Sequence, residues 1–323
     1  PTHHPLNTSS FFSCDWRMMK NRVPQTILFG FIILMIFITA CAKNDSETKN
    51  NNTSQEESVK FVVVGGSGTI LTSSDSNTWI SENSGTSNLL SDVIYENGTL
   101  ITIGGVFVDN VSTVLKSSNG KTWTSITTGT TKILYDVAYG INKYISTGSY
   151  GEVITSSDGS SWTLRSSGTT NQLHGIEYGN SVFVSVGDGG TIISSSDGIT
   201  WTSRTSGTAY YLKGITYSKN IFVVTGAGGT ILTSSDGTTW NTRNTGTSVS
   251  INGITYSKNI FIAVGDSGTI LTSSDGSSWS SKTSGTSNDL ESIHFGDDTI
   301  IAVSYTHLRA HETPEHLVCR LLL

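Results

Sequence analysis

TSSDGTTW, residues 233–240, recurs along this chain of 323 residues. Related octamers are TSSDSNTW at 72–79, KSSNGKTW at 116–123, TSSDGSSW at 155–162, SSSDGITW at 194–201 and TSSDGSSW at 272–279. Their tryptophans are Trp79, Trp123, Trp162, Trp201, Trp240 and Trp279, separated by 44 residues once and then by 39 four times. The long interval carries an insertion within GGVFVDNVSTVL, between Gly105 and Thr113. A fixed period of this size marks a repeat architecture, in which each unit is one supersecondary element that buries its apolar face against its neighbours.

One full unit, LKGITYSKNIFVVTGAGGTILTSSDGTTWNTRNTGT at 212–247, divides at its turn signals. GITYS is a short strand and KN a turn. IFVVTG is an apolar strand suited to burial on both faces. AGG is a tight hairpin in which glycine takes positive φ. TILTSS is a third strand, DG a turn, and TTWNTR a fourth and more polar strand. Four strands per unit, apolar first and polar last, predict an all-β fold, a β-propeller of about 39-residue four-stranded blades with sandwiched inner strands and wet outer edges. The rival β-solenoid builds shorter and more uniform rungs. Six octamers and a seventh unit begun by LESIHFGDDTIIAV at 290–303 predict seven blades when complete, with the last one truncated here. The propeller repeats are assigned to 58–303.

The octamer combines hydroxyls, a short carboxylate, glycine and tryptophan. Asp75, Asp158, Asp197, Asp236 and Asp275, with Asn119 in the second copy, stand where a side-chain oxygen can accept backbone N–H bonds and fix a turn. The tryptophan covers that turn and the next blade. The unit resembles the Asp-box, or BNR, repeat of sialidase-like propellers, and the whole repeat is similar to the propeller of the photosystem II assembly factor group. The resemblance spans 58–303. It implies that the motif builds the turn between third and fourth strands, away from the functional face. The usual box has one residue between Asp and Gly; here Gly237 follows Asp236 directly, and Ser76 replaces glycine in the first copy. Ring symmetry would spread six such carboxylates around a rim, so they are read as structural.

The ends of the chain differ from the repeats. A basic stretch, MKNR at 19–22, precedes the apolar TILFGFIILMIFI at 26–38, and ITAC ends at Cys41. This order resembles a bacterial lipoprotein signal, which implies lipidation of Cys41. Residues 1–18 are read as upstream translated leader, 19–40 as the signal peptide and 41–57 as a polar tether too poor in apolar residues to fold. Residues 304–323 match the translation of a transposase-type sequencing adapter and its index primer, with Pro314 and Glu315 at the barcode. A membrane is therefore met through the lipid anchor only, and the expected location is the extracytoplasmic side of a bacterial envelope.

Residues 41–303 carry 14 basic and 22 acidic side chains, a net charge of −8, which excludes a nucleic-acid footprint. Cys41 is their one cysteine, and His174 and His294 their only histidines, so no disulfide and no His/Cys metal cluster is expected, and no cofactor. Arg165, Arg204 and Arg243 each lie three residues after a tryptophan, as does Lys282. They are repeat positions on outer strands and do not converge as a sialidase triad must. Asp188 and Asp266 sit on hairpins as solvated turn residues, and Glu152 and Asp136 are no more specific, so no catalytic residue is assigned.

Repeats carry specificity where they break. Variation gathers on the second-to-third-strand hairpins and the inter-blade loops, which share one face. Tyr150, Asp188 and Asp266 on the hairpins, with Lys132, Tyr210 and Tyr211 in the loops, form the expected binding face for a protein or glycan. The expected function is a non-catalytic binding or assembly module, monomeric, with an envelope protein or glycan as partner. A sialidase-like glycoside hydrolase and a surface adhesin are the alternatives.

Overall fold

The structure, a computed structural model, describes residues 36–37, 59–76, 78–106, 111–296, 299–304 and 317–321. The proposed leader, the tether and Cys41 lie outside the described residues, as does 107–110 of the insertion.

Among the described residues the chain forms seven antiparallel sheets, one per repeat, and is a β-propeller. Blade 5 is typical: Leu212–Ser218, Ile221–Gly226, Thr230–Ser234 and Asn241–Arg243 pair in chain order from the axis outward. The predicted hairpin holds, with Gly228 and Gly229 at φ of 65° and 68°. The fourth strand is shorter than TTWNTR, because the N–H groups of Thr238 and Thr239 bond to Asp236 Oδ1, both at 2.8 Å, instead of to the sheet. In blade 2 the insertion lengthens the hairpin, with Val106 paired to Val111.

The repeat array ends on borrowed strands. In blade 1 the inner edge of Phe61–Gly65 pairs with Ile36–Phe37, and in blade 7 the edge of Thr299–Ser304 pairs with Leu317–Leu321. Both partner strands lie in segments read above as signal peptide and translated adapter, so neither pairing belongs to the propeller repeats.

The core is a series of clusters between successive blades. The one between blades 4 and 5 holds Val184, Val186, Ile192, Leu212, Phe222 and Leu232. In each of three blades a Tyr of the inner strand packs on a buried Phe: Tyr178 on Phe183, Tyr217 on Phe222 and Tyr256 on Phe261, at 4.6, 4.6 and 4.8 Å between centroids. Glycine makes room for these rings. A Cβ added to Gly179 would meet Tyr217 Cγ of the next blade at 2.1 Å.

Candidate functional site

The octamers act as turn braces. In blade 5 the Ser234 hydroxyl accepts the Gly237 N–H at 2.8 Å and donates to Asp236 Oδ1 at 2.9 Å. Gly237 has φ of 70° and lies against Val184 of the preceding blade. These N–H bonds stabilise the ionised carboxylates, pushing Asp197 and Asp275 down to about 2. Asn119 makes the same bonds with Oδ1, accepting the N–H of Lys121 and of Thr122 at 2.9 Å each. The second copy thus makes the same two bonds with an amide oxygen.

The innermost strands are Leu89–Glu96, Leu134–Gly140, Leu173–Gly179, Leu212–Ser218, Ile251–Ser257 and Leu290–Gly296. Each carries a register shift just after its first buried aliphatic residue. A bulge of this kind re-aims one side chain. The residues so placed are Ser91, Tyr135, His174, Lys213, Asn252 and Glu291, six different types at one point of the repeat. Tyr135, His174 and Asn252 reach the hairpins and loops of the predicted face, whereas Ser91 is buried. Tyr135 Oη donates to Gln172 Oε1 at 2.7 Å, and His174 Nε2 lies 2.6 Å from Asp188 Oδ1. Lys213 Nζ donates to Asn252 Oδ1 at 2.7 Å, and Asn252 Nδ2 to Asp266 Oδ1 at 2.8 Å. Tyr135 is pushed up to about 12 by desolvation first, then by Asp188 and Tyr150. Glu291 is raised by desolvation, against the opposing pull of Lys213.

The rim residues named from sequence occupy that same face. Tyr150, Tyr210 and Tyr211 are 66%, 56% and 57% exposed. Lys132 Nζ sits 4.7 Å from the centroid of the Tyr150 ring, a cation–π contact. Tyr150 has φ of 57°, at a hairpin position held by Ser67, Gly189, Gly228 and Ser267 in other blades. Asp188 and Asp266 are not free turn residues as expected, since each is tied to the bulge residue of its own blade. The arginines do not converge: Arg165, Arg204 and Arg243 each donate through Nε to a hydroxyl of their own blade's third strand, Thr155, Ser194 and Thr233.

The structure corrects one expectation about acids. Asp136 is more specific than its sequence suggests, because it shares the channel lining with Asp92 and Glu177. Asp92 Oδ2 accepts the Val137 N–H of blade 3 at 2.9 Å, and Asp136 Oδ2 the Ile176 N–H of blade 4 at 2.7 Å. Glu177 Oε1 accepts the Tyr178 N–H at 2.9 Å, and Glu177 also takes the Tyr217 N–H of blade 5. The carboxyl groups of Asp92 and Asp136 are bonded to one another, and desolvation followed by the charge of Asp92 holds Asp136 well above the carboxylate range. Glu177 is pushed up to about 7, mainly by desolvation. His294, on blade 7, is pushed down to about 4 by burial, opposed by the charge of Asp92. These groups stitch inner strands of neighbouring blades. Among the described residues no group of three or more His, Cys, Asp or Glu side chains could hold a metal ion.

No protein-family model and no curated protein matches this chain. Solved structures do match in fold. A structure of YCF48 bound to D1 peptide aligns with a TM-score of 0.65 at 15% identity, over 83% of this chain and 89% of that one. YCF48 from Cyanidioschyzon merolae aligns at 0.60 and 17% identity, over 78% and 90%. The computationally designed Ika8 protein aligns at 0.55 and 13% identity, over 83% and 96%.

Proposed function

We propose that this chain is a non-catalytic β-propeller module that holds an extended segment of a partner protein across the mouth of its channel. The bulge ring carries this reading: on an otherwise uniform repeat, six inner strands place six different residue types at one bulge, and Tyr135, His174 and Asn252 there bond to loop or hairpin residues of the face. The similarity in fold to YCF48, a photosystem II assembly factor with a structure bound to D1 peptide, supports a peptide ligand and a role in assembly. The channel carboxyls do not favour the hydrolase alternative, because their oxygens are committed to backbone N–H groups. The module is anchored by lipid on Cys41 at the extracytoplasmic side of an envelope membrane. Incorporation of a labelled fatty acid that survives in Cys41→Ser would refute the anchor.

The binding reading is tested by panning a phage-displayed random peptide library against the chain. The comparison is Tyr135→Ser/His174→Ser/Lys213→Ser, which installs the residue that Ser91 already supplies in blade 2. Enriched peptides are expected to lose at least about tenfold in affinity on that variant, or about 1.4 kcal/mol. Peptides that bind both proteins equally, or no enrichment, would overturn it.

A further inference from the structure

Two open grooves lie on adjoining blades. One, of about 780 Å³, runs along blade 3 and is lined by Gly151, Glu152, Arg165 and the loop 166–170. The other, of about 580 Å³, runs along blade 4 and is lined by Asn171, Gly189, Thr191, Arg204 and the loop 205–209. They share Gly168 and Thr169, so they form one strip.

The lining is made of hydroxyls, amides and bare backbone. Ser167 Oγ donates to the Thr169 carbonyl and Ser206 Oγ to the Thr208 carbonyl, both at 3.1 Å. Asn171 Nδ2 donates to Thr191 Oγ1 at 2.7 Å. Gly168 and Gly207, both with positive φ, would point a Cβ into open space, so the loops are shaped without filling the grooves. The charges are few and partly engaged: Glu152 is bonded to Thr130, and each arginine uses its Nε internally, leaving its terminal nitrogens as donors.

Two exposed tyrosines adjoin lining residues of the strip in the chain. Tyr150 directly precedes Gly151, and Tyr210 directly follows Ala209. The two come from opposite members of one facing pair of positions, where loop and hairpin meet in each blade. Lys132 covers Tyr150 in blade 3, Asn171 lies by Gly189 in blade 4, and Tyr210 lies on Gly228 in blade 5. Each ring thus has one face supported and the rest exposed. A large side chain at positive φ costs about 1 kcal/mol or more, and Tyr150 buries little in return.

We propose that this strip binds an oligosaccharide, with pyranose rings stacked on Tyr150 and Tyr210 and their hydroxyls received by the grooves between. None of the bulge residues that carry the peptide reading lines either groove, and neither reading depends on the other. Calorimetric titration with chitohexaose, cellohexaose and an oligogalacturonate hexamer tests it, the last reporting whether Arg165 and Arg204 select uronic acids. Tyr150→Ser and Tyr210→Asn use residues that other blades already hold at these positions, so the fold is kept. Each is expected to weaken binding about tenfold, whereas Lys258→Ala, on the turn at the other end of an inner strand, leaves it unchanged. Absence of binding to all three sugars at millimolar concentration, or affinities indifferent to both tyrosine substitutions, would overturn the proposal whatever the peptide library yields.

Discussion

Glu177→Gln should stabilise the protein in alkaline solution and do little in acid. The carboxyl lies on an inner strand, where Oε1 accepts the Tyr178 N–H, and the Tyr217 N–H of the next blade also bonds to the group. Desolvation, the largest influence, raises it from 4.5 to about 7. The folded state therefore holds a proton that the unfolded chain releases. Below about pH 4.5 both states are protonated and the carboxyl carries no penalty. As pH rises toward 7 the unfolded state ionises alone and stability is lost, until above about 7 the folded carboxyl is ionised too and the loss is complete. At about 1.4 kcal/mol per tenfold change, that loss is about 3 kcal/mol, a large part of the 5–15 kcal/mol by which domains are stable. Glutamine keeps the acceptor oxygen and has no charge to desolvate. Urea unfolding followed by tryptophan fluorescence at several pH values measures the difference. The variant should gain about 3 kcal/mol at about pH 8 and converge on the parent toward about pH 4. A residual slope is expected in both proteins, since Asp136 is raised in the same direction. A difference that does not change with pH, or a variant less stable at every pH, would refute the desolvation argument.

Two further substitutions separate packing from hydrogen bonding. Gly179→Ala leaves the backbone in an ordinary conformation but sets a methyl 2.1 Å from Tyr217 Cγ, so thermal unfolding should show a loss of about 1–3 kcal/mol. Asp158 Oδ1 accepts the N–H groups of Ser160 and Ser161, both at 2.7 Å, in the arrangement that Asn119 achieves with an amide. Asp158→Asn keeps both bonds but gives up the ionised acceptor that they hold below the usual carboxylate range, so it should lose less than Asp158→Ala, which should lose about 1 kcal/mol; equal losses would show that the amide does not replace the bonds.

The octamers were legible because everything they do is local. Ser234, Asp236 and Gly237 bond within a stretch of six residues, so composition and spacing alone announce the turn. The strands and their order follow from the same local punctuation. The channel acids were not legible one at a time. Asp92 and Asp136 share one register position and Glu177 lies two residues further along, which keeps all three on one face of the inner strands. Only alignment of LSDVIY, LYDVAY and LHGIEY would have shown it. The bulge ring was hidden for a different reason. A bulge is a relation between two strands, and no single strand declares it. Its signal was nonetheless present as the column after the repeated Leu or Ile, which reads Ser, Tyr, His, Lys, Asn and Glu.

That column bears on where function can arise in a repeat. The buried aliphatic residue before it is nearly uniform because it faces the same inter-blade core in every unit. The bulge residue escapes this demand, and at Tyr135, His174 and Asn252 it meets a loop or hairpin residue instead. Tyr150 makes the same point on the hairpin. Its backbone is imposed by the repeat, which elsewhere meets it with Ser or Gly, and its exposed ring is not required by the core. Residues that obey the period build the ring, and those that break it at positions the core leaves free are the ones left to meet a ligand.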